Sequence, residues 1–223
     1  MAQSQLLLDL FRMQWDEAPT VWLDTETTGT RVGFDRCVQV AVVRFHRGEP
    51  GASFSALINP GMPIPREATD IHGITDDMVK DAMSLGEFFA HPQTIKLLDG
   101  AQPGAYNGPF DKHFVPPFGP DWTWPWLDGL TLVRKEDRYA RGAGRHKLAA
   151  ACERHGVELP KAHDAVSDAR SAGLLFYKMG RKLFPKIYTL GSVLGWQRKT
   201  EAAEWERFYG WLSTQPPKPE AQP

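Results

Sequence analysis

The chain has 223 residues, 42% of them hydrophobic and 24% charged, with a formal net charge of −1. That length supports one ordinary domain with a sizeable core plus additional segments. The near-neutral balance excludes a protein that holds nucleic acid by bulk positive charge, so any such contact has to come from a local patch. Cys37 and Cys152 are far apart and lack metal-ligand spacing, which argues against a disulfide framework and a zinc site. The N-terminus does not read as a signal peptide, and no apolar run reaches membrane-spanning length. A cytoplasmic protein with no membrane contact is expected.

Residues 1–18 read as an N-terminal arm with an apolar cluster from Leu6 to Phe11. Thr20–Asp24, Cys37–Phe45 and Ser53–Ile58 carry strand signals, the second rich in valine, and their succession predicts an antiparallel meander. Asp76–Val79 and Leu85–Leu98 read as helical pieces. Ala101–Tyr106 reads as a short strand leading into a helix that begins near Pro109 and is cut short by Pro116 and Pro117. Residues 118–128 (FGPDWTWPWLD) hold three tryptophans. They form either a surface loop folded over the core or a platform on which bases stack. From 129 onward the chain reads helical, with Leu148 to Cys152 on one apolar face and a long helix from His163 to Leu183. Residues 183–214 predict a helical extension in which Trp205, Phe208, Tyr209 and Leu212 recur at helical spacing. Residues 215–223 have the composition of a disordered tail. The order of elements is a mixed α/β pattern, distinct from strict βαβ alternation.

Three places bring carboxylates into suggestive positions. Asp24 and Glu26, two apart at a strand end, point to the same face. Their repulsion would be offset by a divalent cation, although an exposed acidic strand end has the same pattern. Asp111 falls in the first turn of a helix after Asn107-Gly108, where a negative charge is common. His163 stands at the mouth of the long helix, and Asp168 lies inside it among Ala165, Val166, Ala169 and Ala172. Burial of an unpaired carboxylate there is costly.

Taken together and in this order, DTETTG at 24–29, HGIT at 72–75, NGPFD at 107–111 and HDAVSD at 163–168 resemble the motifs of the DEDDh 3′→5′ exonucleases. That family includes the proofreading subunit of bacterial DNA polymerase III. HKLAAACERHGV at 146–157 also resembles the helix before the last motif, and the likeness covers roughly residues 19–182. The resemblance implies a ribonuclease-H-like fold, an α/β mixed five-stranded sheet flanked by helices. It implies that Asp24, Glu26, Asp111 and Asp168 hold two Mg²⁺ or Mn²⁺ ions, with Asp24 bridging, and that His163 is the general base. It further implies that Thr27, His72, Asn107 and Phe110 line the pocket for the terminal nucleotide. Hard cations favour such oxygen ligands, and imidazole suits proton transfer near neutrality.

The expected activity is release of nucleoside monophosphates from a DNA 3′ end in replication, repair or proofreading, with DNA favoured over RNA. An exoribonuclease and a catalytically silent nucleic-acid-binding module are the alternatives; the intact set of five residues speaks against the second. A DNA polymerase is one candidate partner. A sliding clamp is another, because Gln5–Phe11 resembles a clamp-docking peptide, whereas the same residues also suit an amphipathic helix covering the core. Arg134, Lys135, Arg138, Arg141, Arg145 and Lys147 make residues 134–147 basic. That stretch either tracks a phosphate backbone or is a solvated loop.

Overall fold

A computed structural model of the chain describes residues 2–115, 125–184 and 187–213. The tryptophan-rich segment up to residue 124, with Pro116 and Pro117, and the tail from residue 214 lie outside the described residues, as do the side chains of Trp205, Phe208, Tyr209 and Leu212. Five strands form one sheet in the order β3-β2-β1-β4-β5. β1 (Thr20–Thr27), β2 (Cys37–His46) and β3 (Glu49–Leu57) are the antiparallel meander. β2 turns into β3 through Arg47 and Gly48, both at positive φ (54° and 78°), the two-residue geometry whose twist matches that of the flanking strands. β4 (Gln102–Ala105) and β5 (Leu127–Asp128) add in parallel on the other side of β1. Parallel pairing needs a long crossover. α2 (Arg66–His72), α3 (Asp76–Val79), α4 (Leu85–Ala90) and α5 (Pro92–Leu98) supply it between β3 and β4.

Alternation along β1 sends its side chains to two different cores. Trp22, with Val43 and Phe45 of β2, packs under the long helix α9 (Ala165–Leu183), against Ala169, Ala172 and Phe176. Val21 and Leu23, with Val40 and Val42, pack on the opposite face against Phe88, Phe89 and Leu97. The valine-rich β2 is therefore covered on both sides, as its sequence suits. Gly173 lets α9 lie close to the sheet: a Cβ there would come within 2.5 Å of the Phe45 ring.

The remaining helices are α1 (Ala2–Arg12), α6 (Gly108–Phe114), α7 (Gly129–Glu136), α8 (Leu148–His155) and α10 (Leu190–Ser213). The arm and the C-terminal extension share the α9-side core: Leu10, Trp15, Leu190, Val193 and Leu194 are all buried in it. Trp15 stacks on Tyr177 at 5.7 Å between centroids, and Gln14 pairs with Thr189. Cys37 and Cys152 are buried and free. Among the described residues no helix is long and apolar enough to cross a membrane.

The structure moves several sequence boundaries. β1 runs on through Thr27 instead of ending at Asp24. β3 starts at Glu49, and Ile58 lies beyond it in a bridge to Met83. The last motif's helix begins at Ala165 rather than His163, because Asp164 is its N-cap and accepts from the Ser167 N–H at 3.1 Å. Residues 137–147 are a loop, not helix, and β5 carries no strand signal of its own.

Candidate active site

The carboxylates gather where the carboxyl ends of the parallel strands β1 and β4 meet α9, the usual location of sites on such sheets. β1 directs Asp24 and Glu26 to the same face as Trp22, the face that α9 covers. β4, paired to β1 through Leu23 and Ala105, leads by Tyr106 and Asn107 into α6, whose first turn holds Asp111. The Thr25 N–H and hydroxyl both donate to Asp111 Oδ1, at 3.1 and 2.9 Å. This fixes α6 against β1 and orients the Asp111 carboxylate. α9 brings Asp168, whose Oδ2 accepts from the His163 N–H at 3.1 Å. His163 itself is exposed and sits at φ 61°, in the left-handed region where histidine is one of the few tolerated side chains.

The donor atoms of Glu26, His163 and Asp168 lie within 4.8 Å of one another. Asp168 Oδ1 is buried and has no hydrogen-bond partner among the described residues. Asp24 and Asp111 add their charges to this cluster. Burial raises the Asp24 carboxyl well above the usual carboxylate range, and Asp111, Asp168 and Glu26 raise it further. Burial, then Asp168 and Asp111, pushes Glu26 up to about 7. Asp111 is raised to about 7 by burial against the opposing Thr25 hydrogen bonds. Asp168 is raised to about 6 by burial, with the His163 backbone and charge opposing. Carboxylates that destabilise one another, one with an unpartnered oxygen, fit a hard divalent cation as the missing counter-charge.

The residues expected around the terminal nucleotide fall into two groups. His72 is half-buried, its Nδ1 accepting from the Ile74 N–H at 3.0 Å and its Nε2 buried against the Thr27 backbone outside hydrogen-bond geometry. Burial lowers its pKa, as does the charge of His163, which places both histidines in one neighbourhood. Thr27 is occupied internally, its hydroxyl donating to the Gly29 carbonyl at 2.6 Å. Asn107 is exposed, and its side chain does not cap α6. Phe110 is half-buried on Phe114, with centroids 4.8 Å apart. Sequence reasoning passed over Thr25, the anchor of Asp111, and Asp164, whose charge reaches Asp24, Glu26 and Asp168. Both lie inside the quoted motifs, next to residues that were singled out.

The family model described as Exonuclease matches residues 21–176. The chain is 34% identical over 194 residues to the DNA polymerase III subunit epsilon-like protein of Rhodobacter capsulatus, covering 82% of this chain and 27% of that protein. It is 32% identical over 173 residues to the PolC-type DNA polymerase III of Streptococcus pneumoniae, covering 74% of this chain and 11% of that one. It thus spans only a minor part of these relatives. Among solved structures, Exonuclease X in complex with 5′ overhanging duplex DNA superposes with a TM-score of 0.60 at 21% identity, over 78% of this chain and 99% of that one. Cell-death related nuclease 4 superposes with a TM-score of 0.62 at 16% identity, over 78% and 67% of the two chains. At those identities the structures speak for the fold. Residues 21–176, which hold every carboxylate of the cluster, make this chain a member of the exonuclease family.

Proposed function

We propose that the chain is a metal-dependent 3′→5′ exonuclease that releases nucleoside monophosphates from the 3′ end of DNA. The observation that carries this reading is the convergence of Glu26, His163 and Asp168 within 4.8 Å, around an Asp168 oxygen that has no hydrogen-bond partner among the described residues. Asp24, Glu26, Asp111 and Asp168 would hold two divalent cations, Mg²⁺ or Mn²⁺. Bound there, such ions supply Lewis acidity to the scissile phosphate and offset the charge on the leaving oxygen. His163, exposed at the rim, takes the proton of the attacking water at its ring nitrogen. The Asp168–His163 backbone bond holds that residue in its left-handed conformation, which keeps the ring beside the carboxylates. Thr25 fixes the Asp111 carboxylate, and His72, Thr27, Asn107 and Phe110 surround the terminal nucleotide.

DNA is the favoured substrate because the relatives of highest identity named above are DNA polymerase III proteins. A role in replication or repair, free or with a polymerase, follows from the same likeness. Clamp docking through Gln5–Phe11 gains no support from the fold: Leu10 is buried in the core and Phe11 packs against it, leaving Leu6 and Leu8 exposed.

Gel assays on single strands, duplex and RNA test the reading. With Mg²⁺ or Mn²⁺, 5′-labelled DNA gives a ladder shortening from the 3′ end, 3′-labelled DNA gives labelled mononucleotide at once, and EDTA stops both. Ladders from the 3′-labelled strand would reverse the polarity, and faster loss of RNA would favour the exoribonuclease.

A further inference from the structure

Two grooves open on either side of Asn107, and Arg134 lines both. One, of about 490 Å³, is acidic: Asp128, Glu201 and Glu204 line it with Thr131. The other, of about 520 Å³, reaches His163 and is lined by Tyr106, Leu130, Arg145, His146 and Lys147. It carries three cationic side chains and no carboxylate among its lining residues. Glu204 Oε2 lies 3.7 Å from Arg134 Nη1, so Arg134 is drawn toward the acidic side, and Arg145 and Lys147 define the charge of the basic one.

The loop that supplies Arg145 and Lys147 is tied at its base. Asp137 accepts from Arg154 Nη2 at 2.6 Å and Nε at 3.0 Å, and lies 3.0 Å from His155 Nε2. The His146 ring lies 3.3 Å from the Asp137 carbonyl, while the Tyr106 hydroxyl donates to the His146 carbonyl. Both ends of the basic stretch are thereby pinned, one of them directly to the residue that follows β4. Asp137 is engaged by Arg154 and His155 and Glu204 faces Arg134. Among the described residues this leaves exposed Glu136 as the one carboxylate of residues 134–147 outside an ion pair, against six cationic side chains. Arg138, Tyr139, Arg141 and Arg145 stand exposed in succession, with Arg138 lying over the Tyr139 ring at 4.7 Å. Interleaved cations and an aromatic face suit a single-stranded polynucleotide, which offers phosphates and base faces alternately.

We infer that the strand 5′ of the scissile bond leaves the carboxylate cluster through this basic groove, its phosphates held by Arg145 and Lys147, while the acidic groove repels it. The inference rests on the nuclease reading of the cluster, and it fixes on which side of Asn107 the body of the substrate lies. Each neutralised phosphate of a single strand contributes about 0.7 to the slope of log affinity against log salt.

The test is binding of a fluorescein-labelled oligothymidylate in EDTA across a salt series. Arg145→Ala/Lys147→Ala lowers the slope by about 1.4. Lys96→Ala/Lys182→Ala, two exposed cations elsewhere, leaves it at the wild-type value. An unchanged slope in the first variant, or an equal fall in the second, overturns the inference. If the double variant does not fold, Arg145→Gln lowers the slope by about 0.7 and Arg145→Lys preserves it; failure of either expectation likewise overturns it. Hydrolysis of the p-nitrophenyl ester of thymidine 5′-monophosphate by the wild-type protein separates the two readings. That ester has no upstream phosphate, so a wild type that cannot cleave it sinks the nuclease mechanism, whereas the salt slopes judge the groove alone.

Discussion

Two clusters of buried carboxylates among the described residues behave differently. Asp128 is pushed up to about 7 by burial, close to the values reached by Glu26 and Asp111. Yet Asp128 is provided for by the fold. Its Oδ1 caps α7 by accepting the Thr131 N–H at 2.9 Å, and its own N–H donates to Gln197 Oε1 at 2.9 Å. Gln197 and the Thr131 hydroxyl in turn donate to Glu201 Oε1. In the Asp24 cluster Thr25 donates to Asp111 and the His163 N–H to Asp168 Oδ2, but among the described residues Asp168 Oδ1 is left without a donor. A raised pKa therefore marks burial in both clusters. The unpartnered oxygen distinguishes the cluster proposed above as the ion site from the one that holds a helix in place.

The difference can be broken most sharply at Asp24. Asp24→Ala removes a carboxylate that no hydrogen bond replaces, and nuclease activity in Mg²⁺ is expected to vanish; wild-type rates would sink the mechanism. His163→Ala is expected to lower kcat by about 10²–10⁴-fold, the usual contribution of a general base, without loss of the folded state measured by circular dichroism. A metal series sharpens the contrast further. In EDTA, protons bound by Glu26, Asp111 and Asp168 in the native state are lost as pH rises through about 6 to 7. Folded pKa values above the unfolded ones mean that this stability is present at low pH and lost on that rise. Mg²⁺ should therefore raise the melting temperature more at about pH 8 than at about pH 6, and Asp24→Ala should blunt the gain. Equal shifts at both values would separate metal binding from these carboxylates.

The smallest effect is expected at Asp128→Asn. Asparagine keeps the cap and cannot ionise, so nuclease activity stays near that of wild type. The part of the melting curve's fall through about pH 7 that belongs to Asp128 disappears, a change of a few degrees where 1 kcal/mol moves a domain of this size by about 2–4 °C. A severe loss of activity in this variant would place Asp128 in the chemistry and erase the contrast.

Much of the cluster was legible because its chemistry is local. Asp24 and Glu26 share a strand face by the period of two, and the HDAVSD run places Asp168 one turn inside its helix whatever happens elsewhere. What was not legible depends on distant parts. β5 is a two-residue strand that exists because Gly104 and Ala105 are there to pair with it; nothing within Leu127-Asp128 alternates. The pairing of α1 and α10 over α9 needed Trp15 to find Tyr177 and Phe184. The grooves on either side of Asn107 were equally hidden, since each draws walls from segments separated by dozens of residues. The basic stretch could be read as charge, but its anchoring by Tyr106 and Arg154 could not.

Gly173 has a reach beyond the packing of one helix. It sits five residues after Asp168 on the same rigid rod, pressed against a Phe45 ring that Trp22 and Tyr177 hold from other sides. A side chain at 173 has to lift the rod from the sheet, and the carboxylate at 168 travels with it. Overpacking at this one position thus couples the interior to the proposed site, since whatever strains the seat of α9 also shifts Asp168.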